Sequence, residues 1–269
     1  RASPRPASRA DPLPSAYASE APFDSPVGRD LRYVPRRWMG GYNIPMTMHQ
    51  PPLEHINEHA VLRHLGAHRE PPSGDLLAEI RQAAAQILAV ASPQAVYRIF
   101  PRTALASVLL GEDIHAHLGS STEVLLLACT LGQTVDYRIR QAQAVAMHEA
   151  VVLDAVASTA IEDYATTWEA SLRQQTLASG RYLTTRFSPG YGDLPLAVQT
   201  QILQLTDAQR SIGLTLNAQD LMLPLKSITC LMGLSHEPIS EAADPCAICQ
   251  RRDACALRQR GGYCGRFQS

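Results

Sequence analysis

The spacing of apolar and polar residues divides the middle of the chain into helices and strands. Apolar positions at helical spacing follow Ser73 and continue to about Ala91, and the Ser-Gly-Asp sequence at 73–75 is typical of a helix start. A second helix is predicted from Gln133 onwards. Further helical segments are predicted at 112–118, from 142 to about 175, and at 198–205, with a capping start at 206–209.

Other segments have the composition of β-strands. The continuous apolar run 124–129 predicts a buried strand. Residues 95–100, 182–187, 213–216 and 226–232 are also predicted strands, and the last two would form the arms of a hairpin or meander. Helices and strands do not alternate as a βαβ repeat, so a doubly wound nucleotide-binding fold is disfavoured. The expected class is α+β, with an antiparallel sheet surrounded by helices.

Composition narrows the possible partners and suggests three regions. The chain has 269 residues, is 45% apolar and carries a formal net charge of −1, so charge gives no indication of a nucleic-acid partner. No apolar run approaches the ~20 residues of a membrane span, and the first residues contain no secretory apolar segment. We therefore expect a cytoplasmic protein without a membrane partner. Residues 1–47 are predicted to be a flexible proline-rich arm, 48–240 the folded domain, and 241–269 a cysteine-rich tail.

Four of the six cysteines lie in this tail, at Cys246, Cys249, Cys255 and Cys264. Such crowding in a cytoplasmic chain indicates a metal more than disulfides. Four thiolates could hold zinc as a structural site or an iron–sulfur cluster as a redox site. Free thiols on a frayed tail are the alternative. The other two cysteines, Cys129 and Cys230, lie in apolar runs that predict buried thiols.

Five histidines lie between residues 49 and 68. His55 and His59 are four residues apart, as are His64 and His68, and this spacing would place each pair on one face of a helix. Residues 55–59 spell H-x-x-E-H, a pattern that binds zinc in some proteases. A solvated helix face without metal is the favoured interpretation.

The most informative segment is the run from Arg186 to Asp193, R-F-S-P-G-Y-G-D. Arg186 offers a planar fork suited to a carboxylate or phosphate. Gly190 tolerates a positive φ, and Tyr191 supplies an aromatic face with a polar tip. The combination predicts a tight loop that grips a small zwitterionic or anionic ligand with a flat group. An ordinary Pro-Gly turn with an exposed arginine is the alternative.

Three motifs in this order carry a resemblance to a known family. R-x-x-x-G-Y-G-D at 186–193 is followed by I-G-L-T-L at 212–216 and L-M-L-P-L-K-S-I-T at 221–229. Thr-Leu-Gly at 130–132 and the segment 57–66 agree with the same pattern. From about residue 55 to 235 the chain resembles the reactivation domain of cobalamin-dependent methionine synthase, in its stand-alone form.

The resemblance implies an activity and a set of partners. Members of the family bind S-adenosylmethionine and present its sulfonium methyl to a cobalamin carried by another domain or chain, which restores an oxidised cofactor by reductive methylation. The implied partners are a cobalamin-binding methionine synthase or corrinoid protein and a reductase or flavodoxin-type electron donor. The chain would then be the methyltransferase component of reactivation, with no side chain acting as a general base.

The resemblance also implies ligand contacts for individual residues. Arg186 would pair with the ligand carboxylate, Ser188 and Gly190 would offer backbone groups, and Tyr191 would lie against the sulfonium. The family's glutamate for the ligand amino group is expected at Glu162, although the aligned position is closer to Thr159, one helical turn away. A plain surface acid is the alternative at Glu162. Lys226 lies in the third motif, with a structural strand as its alternative role.

Two further functions are compatible with the sequence. An iron–sulfur activase would itself reduce a corrinoid protein through the cysteine tail. A non-catalytic adaptor would keep the fold, lose the ligand and recruit a partner through the arm and the tail.

Overall fold

The computed structural model describes residues 51–66 and 73–239. The proline-rich arm, His49, His68 and all four tail cysteines lie outside these residues. The predicted metal site and the predicted division at 47 and 240 therefore stay predictions.

Seven α-helices occur in the described residues. They are α1 (Glu58–His64), α2 (Gly74–Val90), α3 (Glu112–Leu118), α4 (Gln133–Val145), α5 (Met147–Ala178), α6 (Gln199–Thr206) and α7 (Ala208–Ile212). Short 3₁₀ turns occupy Arg102–Leu105 and Leu196–Val198.

Six strands complete the described fold. They are β1 (Gln94–Pro101), β2 (Glu123–Thr130), β3 (Tyr182–Leu183), β4 (Thr215–Leu216), β5 (Met222–Leu223) and β6 (Ser227–Ser235). β1, β2, β6 and β3 form an antiparallel sheet in that spatial order, and β4 and β5 form a separate pair. The predicted α+β class with an antiparallel sheet is confirmed.

The helices cover both faces of the sheet, which explains why β2 is apolar throughout. On one face, Leu125 and Leu127 pack into the core formed with α1, α2, α4 and α5. On the other face, Val124 and Leu126 pack into a second core with residues of α3 and α6. Because both faces of β2 are covered, neither can be polar, and the strand lacks the alternation of a half-exposed one.

Helix starts and stops follow the local signals that the sequence offers. The Ser73 side chain accepts a hydrogen bond from the Leu76 N–H and caps α2 as predicted. The helical stretch predicted from 142 to 175 is divided at Ala146, where α4 ends and α5 begins. α5 is 32 residues long, so it spans about 48 Å and is the longest helix of the described residues.

Several local predictions are wrong. The strand predicted over 182–187 is only Tyr182–Leu183, followed by a single bridge between Phe187 and Leu231. The predicted hairpin does not form, because β4 pairs with β5 while β6 pairs with β2 and β3. α7 begins at Ala208 without a side-chain cap, since Asp207 is left-handed at φ 56° and the Thr206 hydroxyl donates to the Ile202 carbonyl.

One expectation about a helix face also needs correction. His55 precedes α1, which begins at Glu58, so the H-x-x-E-H run does not lie on one helix.

Met147 and Val151 lie on an exposed part of α5. With Asp154, Ser158 and His64 they border a shallow depression of about 320 Å³.

Candidate functional site

The segment 186–193 is a tight turn anchored to the sheet. Phe187 is buried, and its N–H and carbonyl both bond to Leu231 of β6, at 2.9 and 2.8 Å. Beyond it, the Tyr191 N–H donates to the Ser188 carbonyl at 3.1 Å, and the Gly190 N–H donates to the Leu194 carbonyl at 2.9 Å. Gly190 has φ 86°, a conformation that favours glycine. The turn is therefore specified by its own backbone bonds.

A reciprocal pair of aspartates fastens this turn to the start of α3. The Asp193 carboxylate accepts from the N–H groups of Glu112 and Asp113, at 2.6 and 3.1 Å, and the Asp113 carboxylate accepts from the Asp193 N–H at 3.1 Å. Glycine is needed beside each aspartate. A Cβ at Gly111 would lie 2.3 Å from Asp193 Oδ1, and one at Gly192 would lie 2.2 Å from Asp113 Oδ2.

This aspartate pair has no signal in the sequence. Asp193 is part of the quoted motif, but Asp113 lies 80 positions earlier, and no local pattern links the two. The structure shows that the motif's final residue holds the loop in place.

The Arg186 guanidinium lies against α5, where three side chains accept hydrogen bonds from it. Nε donates to Glu169 Oε2 at 2.9 Å, Nη2 donates to Thr166 Oγ1 at 3.1 Å, and Nη1 meets Glu162 Oε2 at 3.4 Å. The arginine side chain is 17% exposed. Glu162, Thr166 and Glu169 are spaced by four and three residues, so they share one face of the helix.

The two acids hold Arg186 to different degrees. Glu169 is 16% exposed and bonds at 2.9 Å, whereas Glu162 is 50% exposed and lies at the long distance of 3.4 Å. Glu169 also accepts from Arg173 at 2.9 Å. Glu162 is therefore the more loosely held partner, with half of its surface in contact with solvent.

The structure distinguishes Glu162 from the aligned position Thr159. Thr159 is buried, and its hydroxyl bonds to the Ala155 carbonyl and lies 2.9 Å from His64 Nδ1. Its side chain is committed to the packing of α1 against α5. Of the two positions, only Glu162 contacts Arg186.

Lys226 also reaches α5, at a different place. Its ammonium donates to Asp154 Oδ1 and Ser158 Oγ, both at 2.8 Å, and the side chain is 14% exposed. Lys226 directly precedes β6, and its carbonyl accepts from the Leu131 N–H. These contacts join the start of β6 to α5 and do not reach the Arg186 network.

Aromatic rings surround the buried Phe187. The Tyr191 ring is exposed and meets Phe187 edge-on, with centroids 6.5 Å apart. His117 lies 5.0 Å from Phe187, and its Nε2 is 2.8 Å from the Thr185 carbonyl. Burial lowers the pKa of His117, although the Thr185 carbonyl and the Glu169 charge act in the opposite direction. Because the Thr185 carbonyl can only accept, His117 Nε2 donates to the backbone just before Arg186.

The described residues contain no group of three or more histidine, cysteine or acidic side chains placed to hold a metal. Cys129 and Cys230 are buried thiols, as the sequence predicted. Burial raises the pKa of the Cys129 thiol well above its ordinary value, and the neighbouring Cys230 acts in the same direction. None of the described helices is long and apolar enough to cross a membrane.

The predicted ligand residues fall into two groups in space. Arg186, Ser188, Gly190, Tyr191 and Glu162 lie on the loop or directly against its arginine, and Lys226 lies apart with Asp154. Sequence reasoning missed Thr166 and Glu169, which also accept from Arg186. Their spacing from Glu162 along α5 was the signal that could have found them.

The antiparallel sheet, the helices on its two faces and the arginine loop beside α5 define an α+β fold of the reactivation-domain type. Among solved structures, the chain is similar to the MetH reactivation domain bound to AdoHcy, with a TM-score of 0.50 and 16% sequence identity. The alignment covers 78% of this chain and 82% of that one.

Residues 127–240 match the family described as the activation domain of vitamin B12-dependent methionine synthase. None of the curated proteins matches the chain. The matched segment includes all three sequence motifs, and the resemblance that they predicted is confirmed.

Proposed function

We propose that the protein binds S-adenosylmethionine beside the loop 186–193 and supports reductive methylation of a cobalamin carried by a partner. The observation that carries the proposal is the pairing of Arg186 with the half-exposed Glu162. A cation and an acid side by side complement the carboxylate and ammonium groups of an amino acid. In the protein alone, the two side chains partly satisfy each other.

Ligand binding would replace this internal pair by two stronger ones. A guanidinium has five N–H groups, and the three contacts to α5 leave one on each terminal nitrogen for a carboxylate. Glu162 would turn to the ligand ammonium, which its 3.4 Å contact and its exposure permit. Such charge-assisted bonds contribute about 1.5–3 kcal/mol each.

The rest of the loop would shape the remainder of the site. The exposed Tyr191 ring offers a face to the sulfonium, and a cation over an aromatic ring gains about 0.5–2 kcal/mol. The Gly190 N–H and Ser188 carbonyl are used within the turn. Contacts from the Ser188 and Gly190 backbone would therefore come from the Gly190 carbonyl and from the second lone pair of the Ser188 oxygen.

The chemistry requires positioning more than acid–base catalysis. The sulfonium methyl passes to cobalamin with one electron from a reductase or flavodoxin-type donor, and S-adenosylhomocysteine is released. No proton is transferred in this step, so none of the loop residues needs to act as a base. The chain's contribution is to hold the ligand with its methyl group accessible to the partner.

The experiment is calorimetric titration of the full chain with S-adenosylmethionine. We expect binding by the wild type, its loss in Arg186→Ala and clear weakening in Glu162→Gln. Arg181→Ala is the matched control, since Arg181 is a partly buried arginine on the same segment that pairs with Glu123 instead of α5.

Two results would contradict the proposal. An absence of binding heat from the wild type would contradict the binding of S-adenosylmethionine and would favour the adaptor function. Equal affinity in Arg186→Ala and wild type would show that the ligand lies elsewhere.

A further inference from the structure

Glu169 lies between Arg173 of its own helix, α5, and Arg186 of the loop. One carboxylate oxygen accepts from Arg186 Nε at 2.9 Å, and the other accepts from Arg173 Nη2 at 2.9 Å. Arg173 also donates to the Leu183 carbonyl at 2.6 Å. The carboxylate therefore links α5 both to the end of β3 and to the arginine that begins the loop.

The contact with Nε fixes the orientation of the Arg186 fork. Nε lies at the base of the guanidinium, so a bond there leaves the edge formed by the two terminal nitrogens pointing away from Glu169. Among the residues that the structure describes, the terminal nitrogens bond to Thr166, at 3.1 Å, and to the loosely held Glu162. This is the edge that binds a carboxylate with two parallel bonds.

Glu169 and Glu162 differ in burial, and this difference indicates different roles. Glu169 is 16% exposed and is shared by two guanidinium groups, so its removal would leave the largely buried Arg186 and the more exposed Arg173 without their common partner. Glu162 is half exposed and has Arg186 as its arginine partner. Glu169 is thus a permanent partner of Arg186, and Glu162 is an exchangeable one.

We infer that Glu169 is a positioning residue, which holds Arg186 so that its terminal edge faces the ligand carboxylate while Glu162 exchanges to the ligand ammonium. The inference rests on the proposed function. It assigns to Glu169 no contact with the ligand, and it makes the Arg186 orientation depend on a side chain outside the three sequence motifs.

The variant Glu169→Gln tests the inference, because it keeps the shape and removes the charge. We expect S-adenosylmethionine to bind the full-length variant at least tenfold more weakly than wild type, an effect of about 1.4 kcal/mol. 5′-Methylthioadenosine, which lacks the carboxylate, should bind the variant and the wild type equally. The matched control is Glu123→Gln, which breaks the Arg181 ion pair on the neighbouring segment and should leave both titrations unchanged.

Glu169→Asp provides a second variant if the glutamine variant fails to fold. It keeps the charge on a shorter side chain, and we expect a smaller loss of S-adenosylmethionine affinity than in Glu169→Gln. Wild-type affinity in every foldable Glu169 variant would overturn the inference, as would equal losses for the two probes. Failure of the wild type to bind S-adenosylmethionine would instead overturn the proposed function, so the two failures are distinguishable.

Discussion

Lys226 and Arg186 both reach α5 from other parts of the fold, and they use it differently. Lys226 is 14% exposed and gives its ammonium to Asp154 and Ser158 at 2.8 Å each, at the point where β6 begins. Arg186 is similarly buried, but it begins a glycine-containing turn, and one of its three partners is loose. The comparison shows that burial alone does not identify a ligand-binding cation. What differs is whether the partners can be exchanged.

The chemistry of the two side chains also favours Arg186 over Lys226 as the cation that binds the ligand. A lysine ammonium has three N–H donors, and Lys226 uses two of them on α5. Arginine presents a flat fork whose far edge stays available when its base is held. We therefore propose that the ligand binds at the Arg186 end of α5 and that Lys226, which was predicted from its motif to contact the ligand, has a structural role.

Reciprocal exchange of the two cations should give the largest effect. We expect Arg186→Lys to weaken S-adenosylmethionine binding by about 10–100-fold, because a point charge cannot replace the fork. Lys226→Arg should change affinity by less than about tenfold, which is below ~1.4 kcal/mol. Calorimetric titration of both variants checks this, and equal losses would contradict the separation of roles.

The reciprocal contacts of Asp113 and Asp193, which we call the aspartate clamp, join the loop to α3. Their contribution can be tested by measuring the free energy of unfolding. Gly192→Ala places a Cβ 2.2 Å from Asp113 Oδ2 at φ 53°, so we expect a loss of about 1–3 kcal/mol in the free energy of unfolding. Gly180→Ala is the control, since it has φ 69° and no atom within 4 Å of the new Cβ. The control isolates the backbone cost of a positive φ. Equal denaturant midpoints for the two variants would show that the aspartate clamp does not constrain the loop.

A pH dependence at His117 should give the smallest effect. Because burial lowers the folded-state pKa of His117 below its ordinary value of 6.5, the unfolded chain binds a proton more readily. Protonation of His117 therefore lowers the free energy of unfolding as the pH falls below about 6.5 and then through the folded-state pKa. Urea unfolding at pH 7.5 and 5.5 should show a smaller pH-dependent loss in His117→Gln than in wild type.

The control for that comparison is His148→Gln, because His148 is exposed and distant in sequence from the loop. It should keep the wild-type pH dependence more closely than His117→Gln does. An unchanged pH dependence in His117→Gln would contradict a lowered pKa of His117 in the folded protein.

Sequence patterns predicted the fold best where structure is decided locally. The Ser73 cap and the apolar run of β2 are set by neighbouring residues, and both were predicted correctly. The strand pairing of β6 was predicted wrongly because its partners include β2, about 100 residues earlier, and β4 forms its pair with β5. Alternation within a short run gives the tendency to form a strand, but it does not identify the partner strand.

In the candidate site, too, the residues that were predicted are close together in sequence, and those that were missed are distant. Arg186, Gly190 and Tyr191 were found because one short motif contains them. Glu169 and the clamp partner Asp113 were missed because they meet the loop only after folding, from 17 and 80 positions away. A motif locates the centre of such a site, whereas the residues that orient it come from helices packed around it.

α5 also fixes the distance between Lys226 and the acid that holds Arg186 most firmly. Asp154 and Glu169 are fifteen positions apart on one uninterrupted helix, so the helical rise separates them by about 22 Å along its axis. Lys226, which is bonded to Asp154, therefore cannot reach Glu169. A charge lost at Glu169 cannot be compensated by Lys226, and a compensating substitution has to be made beside Arg186.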